Sequence, residues 1–164
     1  MKFLTLAVMC CCFLLRGQAM HLTRPRPKPL DSSVTWNDLY MMTNHAQMED
    51  TDHETRLLPV MSEVMLKQEN SCCINAMILN YYLKHILHAD EHVDKKYPHI
   101  GFVRSDLQRI AHILKPHCVS VRKLFDHFNQ LTNRALSVAK THNKAVGETI
   151  ILFHYLFESC NARM

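Results

Sequence analysis

The chain is poor in glycine, with three in 164 residues. That scarcity excludes the glycine-rich loops that cradle phosphates and the tight elbow that presents a nucleophilic serine. No H-E-x-x-H occurs, and Asp126-His127 with scattered serines does not compose a triad. No residue is therefore nominated as catalytic, no cofactor is expected, and the chain is not read as an enzyme. An N-x-S/T sequon is also missing, so no N-linked glycan is expected. A spanning helix needs roughly 20 apolar residues, and no stretch after the first nineteen residues approaches that. Charge of one sign is lacking too. The formal net charge is +4, which is no footprint for nucleic acid. Strand-period segments and internal repeats are absent.

What is present begins with a segment that does not belong to the folded part. Lys2 gives a short positive start, Phe3–Leu15 is an apolar run, and Gly17-Gln18-Ala19 supplies small residues where a signal peptidase reads. Cleavage after Ala19 is expected, giving a secreted, extracellular protein with no membrane insertion. Residues 1–19 are then the signal peptide, and 20–33, with Arg24-Pro25-Arg26-Pro27-Lys28-Pro29, a flexible proline-rich arm. Residues 34–164 form one helical domain. Removing Lys2 and Arg16 leaves 17 basic against 15 acidic residues. The triple Cys10-Cys11-Cys12 leaves with the signal, so a metal or redox site built on it is rejected.

Four cysteines remain, Cys72, Cys73, Cys118 and Cys160, with none between residues 20 and 71. In an oxidising compartment an even count implies two disulfides. Adjacent cysteines have Cα atoms about 3.8 Å apart, against about 5.5–6 Å in an ordinary disulfide, so Cys72–Cys73 is excluded. Two connectivities stay open. In both, bridges radiate from one helix to the middle and to the end of the chain.

That helix is the stretch Asn70–His88. Ile74, Met77, Ile78, Tyr81 and His85 recur at helical spacing, with Leu79, Tyr82, Leu83 and Ile86 on an adjacent face. The apolar stripe is wider than a surface helix needs, so the helix is expected to be mostly buried, with Ser71 as its N-cap. Around it the pattern predicts an all-α bundle. A first helix runs to about Gln47, capped by Ser33 or Thr35, and buries Trp36, Leu39, Tyr40, Thr43 and Ala46. A short one opens at Arg56-Leu57-Leu58-Pro59, with Leu57, Leu58, Met61, Val64 and Met65 on one face. A loop Asp90–Gly101 precedes a helix from Phe102 to Leu114 that buries Val103, Leu107, Ile110 and Leu114. A fifth helix spans Val119 to about Lys140. A last one runs from about Asn143 to Phe157, buries Val146, Ile150, Phe153 and Phe157, and leaves Cys160 just past its end.

Two clusters invite metal readings. Glu49, Asp50, Asp52 and Glu54 form an acidic loop, but the spacing and the missing glycine do not fit a calcium-binding EF-hand. His85, His88 and His92 fall three and four apart, with no cysteine or carboxylate to complete a tetrahedral zinc set. No metal site is assigned. Two segments do look like more than packing: the polar loop from Asp50 to Arg56, and Lys144-Ala145-Val146-Gly147-Glu148 at the start of the last helix. The glycine there is unusual on helix propensity, and Lys144 and Glu148 stand four residues apart, where side chains meet on one face.

With these residues in view the chain resembles the interleukin-10 family of class II helical cytokines. Glu54-Thr55-Arg56-Leu57-Leu58, the C-x₆-L-N-[YF] spacing from Cys72 to Leu79-Asn80-Tyr81, and K-A-[IV]-G-E followed by Leu152-Phe153 point to one branch; the interleukin-20 and interleukin-26 branches are its rivals. The resemblance runs from about Ser33 to Cys160. It implies a six-helix bundle with two disulfides, a monomer, and the pairing Cys72–Cys160 with Cys73–Cys118. It also implies a cytokine that bridges a ligand-specific class II receptor chain and the shared interleukin-10 receptor beta chain. Signalling would pass through Janus kinases and STAT factors in epithelial tissue, and a soluble decoy binding protein is a further implied partner. Carried over residue by residue, the ligand-specific chain would meet Asp50, Arg56, Lys144 and Glu148. The shared chain would meet the first and third helices, with Asn37 as the matching residue. Three departures stand out: no cysteine precedes Cys72 in the mature chain, Leu39 breaks a sequon seen at Asn37 in some relatives, and Ile150 replaces an acidic residue. The rival of another class is a secreted helical protein acting directly, by antimicrobial attack or metal sequestration. Modest net charge and no dense basic face count against the antimicrobial form.

Overall fold

Every regular element of the computed structural model is helical; it describes residues 28–52, 54–121, 141–161 and 164. A 3₁₀ turn at Pro29–Asp31 leads into α1 (Ser33–Met48), α2 (Glu63–Leu66), α3 (Ser71–His85), α4 (Glu91–Lys96) and α5 (Ile100–Leu114). A 3₁₀ stretch at Lys115–Val121 follows, then α6 (Thr141–Gly147) and α7 (Thr149–Cys160). The helix expected from Val119 to about Lys140 lies almost wholly outside the described residues.

The central position of α3 follows from its sequence. Cys72, Ala76, Ile78, Leu79, Tyr81 and Tyr82 are all buried, and α3 packs against both α5 and α7. The start of α3 carries both disulfides. Cys72 joins Cys160 at the end of α7, and Cys73 joins Cys118 in the 3₁₀ stretch. The residue separations are 88 and 45, so each bridge removes loop entropy worth about 4 kcal/mol in the chain-entropy description.

Helix α5 matches its sequence pattern closely: Val103, Leu107, Ile110 and Leu114 are each wholly buried. It begins two residues early because His99 takes a left-handed backbone (φ 65°, ψ −2°), a conformation uncommon outside glycine. The His99 ring meets Asp38 of α1 at 2.7 Å, and Thr35 Oγ1 donates to Asp106 at 2.6 Å, so two polar contacts fasten α1 to α5. The single tryptophan, Trp36, lies edge-on to Phe153 at 4.6 Å and donates its indole N–H to the Leu30 carbonyl. That bond draws residues 29–31, expected in the arm, onto the bundle, with Leu30 wholly buried.

Several expectations are corrected. Ser32 caps α1, accepting from the Thr35 amide. Ser71 is inside α3, and its hydroxyl donates to the Met65 carbonyl, so Asn70 holds the cap position. Tyr40 is 59 % exposed and Met42 is buried, because the α1 stripe is centred on Thr35, Leu39, Met42 and Ala46. The second helix begins at Glu63, capped by Ser62, and Val64 and Met65 face solvent. A helix opening at Leu57 would use the Met61 amide and the Pro59 carbonyl internally, and both are bonded instead to the Tyr155 hydroxyl. Within the expected 90–101 loop, Asp90 accepts from the His92 and Val93 amides and starts α4. His85 closes α3, exposed and stacked on Tyr81 at 4.6 Å. His85, His88 and His92 therefore share no helix. The last helix is divided at Glu148, and Cys160 is its final residue.

Leu107→Ala should destabilise the oxidised protein by about 3 kcal/mol through the cavity it opens. Tyr40→Ala, on the exposed face, should cost less than about 0.5 kcal/mol. Urea unfolding midpoints check both.

Candidate functional site

The polar loop after α1 is fastened along the last helix pair from Asn143 to Tyr155. The chain leaves α1 with the Asp50 amide bonded to the Gln47 carbonyl at 3.3 Å. Asn143 donates to the Glu49 carbonyl at 3.0 Å. Lys144 Nζ meets Asp50 Oδ2 at 2.7 Å. Gln47 Nε2 donates to the Gly147 carbonyl at 3.1 Å. Glu148 reaches furthest along the loop: its carboxylate accepts from the Leu57 amide at 3.1 Å and the Leu58 amide at 2.7 Å. Lower down α7, Tyr155 donates its hydroxyl to the Pro59 carbonyl at 2.9 Å and accepts from the Met61 amide at 3.2 Å.

The loop also holds itself. Asp50 Oδ1 accepts from the Asp52 amide at 3.1 Å, and Asp52 Oδ1 accepts from the Glu54 and Thr55 amides at 3.2 and 3.0 Å. These are the short side-chain-to-backbone bonds that let aspartate fold a turn without glycine.

Four of the five nominated residues thus come together, and they divide into two kinds. Asp50, Lys144 and Glu148 are turned inward. The Asp50 and Lys144 side chains are only 6 % and 13 % exposed, and Glu148 is 7 % exposed. Lys144 and Glu148 do not pair with each other across their four-residue spacing; each binds the loop. Arg56, between the Thr55 turn and the Leu57 amide, is exposed and makes no ion pair among the described residues. The fifth, Asn37, stands apart on an exposed stripe of α1 with Val34, Met41 and Met48, which are 67 %, 44 % and 79 % exposed. Asp38, clasped by His99 of α5, borders this stripe, and Phe102, one turn beyond His99, is 68 % exposed. Exposure on α3 is narrow: Asn80, Lys84 and His85.

Sequence reasoning missed Gln47, Asn143 and Tyr155. Glutamine and asparagine at helix ends carry no distinctive spacing. The glycine within K-A-V-G-E was the one signal that something approaches the helix closely.

Burial works against the charged form of Asp50. The hydrogen bond and charge of Lys144 and the Asp52 amide outweigh it, so the carboxyl sits below its ordinary value of 3.8. Desolvation likewise pushes His142 below the usual imidazole value, against the help of its bond to the Ile86 carbonyl. No three His, Cys, Asp or Glu side chains among the described residues are grouped to hold a metal. No described helix is long and apolar enough to cross a membrane.

An all-helical bundle with two disulfides from one central helix, and a polar loop laced to the last helix, has the architecture of the helical-cytokine class. The comparisons carry this to a family. The chain is 49 % identical to interleukin-22 of zebrafish, whose crystal structure it matches with a TM-score of 0.66 over 82 % of this chain and 97 % of that one. It belongs to the interleukin-22 branch of the interleukin-10 family. No protein-family model matches the chain, and neither does any curated protein.

Because the Asp50 carboxyl is depressed in the folded state, its contribution is complete above its ordinary pKa and disappears as pH falls through the lowered value. The wild type should therefore lose more stability between about pH 5 and pH 2 than Asp50→Asn, which should already be about 2 kcal/mol less stable at pH 7. Thermal unfolding midpoints against pH read the difference.

Proposed function

We propose that this cytokine is exported after cleavage at Ala19 and acts outside the cell as a monomer that bridges two receptor chains. A ligand-specific class II receptor chain binds at the loop after α1 and the start of the last helix. The shared interleukin-10 receptor beta chain binds the exposed side of α1 around Asn37, next to α5. Janus kinases on the joined receptors then activate STAT factors in epithelial cells. The protein performs no chemistry. It lowers the free energy of bringing two receptors together.

The observation that carries this reading is the loop itself. Arg56 is exposed at the end of a segment whose backbone is already bonded at Glu49, Asp50, Leu57 and Leu58. A partner meeting such a loop does not have to order it, which removes part of the usual cost of binding. Arginine and tyrosine are prominent among residues that dominate interface energies, and Arg56 and Tyr40 are both exposed. The two surfaces lie on different elements, which suits two simultaneous partners. Two disulfides on a small domain fit an oxidising, extracellular setting.

Arg56→Glu should weaken binding to the ligand-specific chain by about 2 kcal/mol or more and leave the circular dichroism spectrum unchanged. Tyr40→Ala should spare that interaction and reduce capture of the shared chain and STAT phosphorylation in epithelial cells. Surface plasmon resonance with each ectodomain separates the two. Failure of the oxidised, folded wild type to bind any ligand-specific chain of its own organism would refute the bridging function.

A further inference from the structure

Gln47 and Gly147 meet where the end of α1 crosses the end of α6. A Cβ added at Gly147 would lie 3.0 Å from Gln47 Cγ, with the Gln47 backbone nitrogen and Cα at 3.7 and 3.9 Å. Carbons settle at about 3.5–4.0 Å, so the Gln47 side chain would have to move. It is not free to do so, because its amide is bonded to the Gly147 carbonyl. Gly147 does not have a positive φ, so conformational freedom is not what the position requires. Within a helix, glycine costs about 1 kcal/mol relative to alanine. What sets the position apart is the tight space in front of it, where a Cβ would press on Gln47 Cγ.

The consequence lies in what surrounds this contact. Asn143 and Lys144 hold Glu49 and Asp50, just after Gln47. Glu148, just after Gly147, holds Leu57 and Leu58. The distance between α1 and α6 at this crossing is therefore the distance over which all of these bonds must close. Lys144 and Glu148, both largely buried, direct their charged groups to the loop.

We propose that Gly147 and Gln47 are a positioning pair. The close approach of the two helices, which a Cβ at 147 would crowd against Gln47 Cγ, sets the bonded loop positions Glu49, Asp50, Leu57 and Leu58 in the arrangement that presents Arg56. The inference rests on the receptor reading given above for its functional meaning, and on the loop geometry alone for its structural part.

A double-mutant cycle of Gly147→Ala and Gln47→Ala in the oxidised protein tests it, read both by amide hydrogen exchange and by receptor binding. In Gly147→Ala the Leu57 and Leu58 amides should exchange about tenfold faster, and affinity for the ligand-specific chain should fall about tenfold. Binding to the shared chain should not change. Gln47→Ala alone should show about a threefold effect, and the double variant should return to that level, since removing Cγ relieves the contact. Wild-type exchange and binding in Gly147→Ala would overturn the proposal. So would greater protection, which helix propensity alone would give, or additive losses in the double variant. Should Gly147→Ala not fold, Gln47→Met retains Cγ and removes the amide; unchanged exchange at Leu57 and Leu58 would then overturn it. If the wild type binds no receptor chain, the bridging function fails and the exchange cycle still decides the positioning role.

Discussion

Two adjacent half-cystines at the first turn of α3 organise the molecule. Cys72 fastens the end of α7, and Cys73 fastens the 3₁₀ stretch after α5. With one residue tied each way, the two helices that flank α3 are fixed to the same point on it. The packing of α3 against α5 and α7 then has little freedom left, and the apolar faces can close with few glycines and only one tryptophan. The position of α7 fixes α6, because only Glu148 separates them. The position of α6 fixes the loop after α1. A covalent constraint at one end of the bundle is in this way felt at the polar surface at the other.

The two halves of that arrangement rest on different physics. The core is held by apolar burial, which changes little with pH or salt. The loop is held by the carboxylates of Asp50, Asp52 and Glu148, the Lys144 ammonium, the Asn143 amide and the Tyr155 hydroxyl. Asp50 and Lys144 are nearly shielded from water, so screening by salt weakens them less than an exposed pair. Each partner is costly to strand alone, since a buried charge without its counterpart keeps the full desolvation penalty. Glu148 differs in kind: it binds main-chain amides, so side-chain substitutions at Leu57 or Leu58 leave its bonds in place. The loop can thus vary in side chains while its backbone path is kept.

Much of this was legible in the sequence, and the parts that were not have physical causes. Helix α5 could be read residue by residue because one face is apolar and the other charged, so period and burial coincide. The cysteine arithmetic reduced the pairing to two choices, and the resemblance selected the one found. The short helix at Arg56-Leu57-Leu58-Pro59 could not be read correctly. Local pattern favoured a helix, but Tyr155, distant in sequence, takes the Met61 amide and the Pro59 carbonyl that such a helix would use internally. Tyr40 and Met42 exchanged places for a subtler reason: both suit an apolar stripe, and only the neighbouring helices decide its centre. Lys144 and Glu148 stood out in the sequence, but their spacing suggested a pair on one helix. In the fold each finds a stronger partner across the groove.

The division between inward and outward residues bears on how the loop could be specific for a partner. A flexible loop ending in one arginine would pay about 0.5–1.5 kcal/mol in lost freedom for each long side chain it immobilised, with further backbone ordering. Here that ordering has been completed during folding, under Asn143, Lys144 and Glu148. On the receptor reading proposed above, what remains for a partner is an exposed arginine on a backbone already bonded on both sides, flanked by exposed Thr51, Asp52, Glu54 and Thr55. A guanidinium presented this way recognises a carboxylate through two parallel bonds of fixed geometry. On that reading, specificity resides in the position of the loop as much as in its side chains. That is why residues with no access to a partner can still govern recognition.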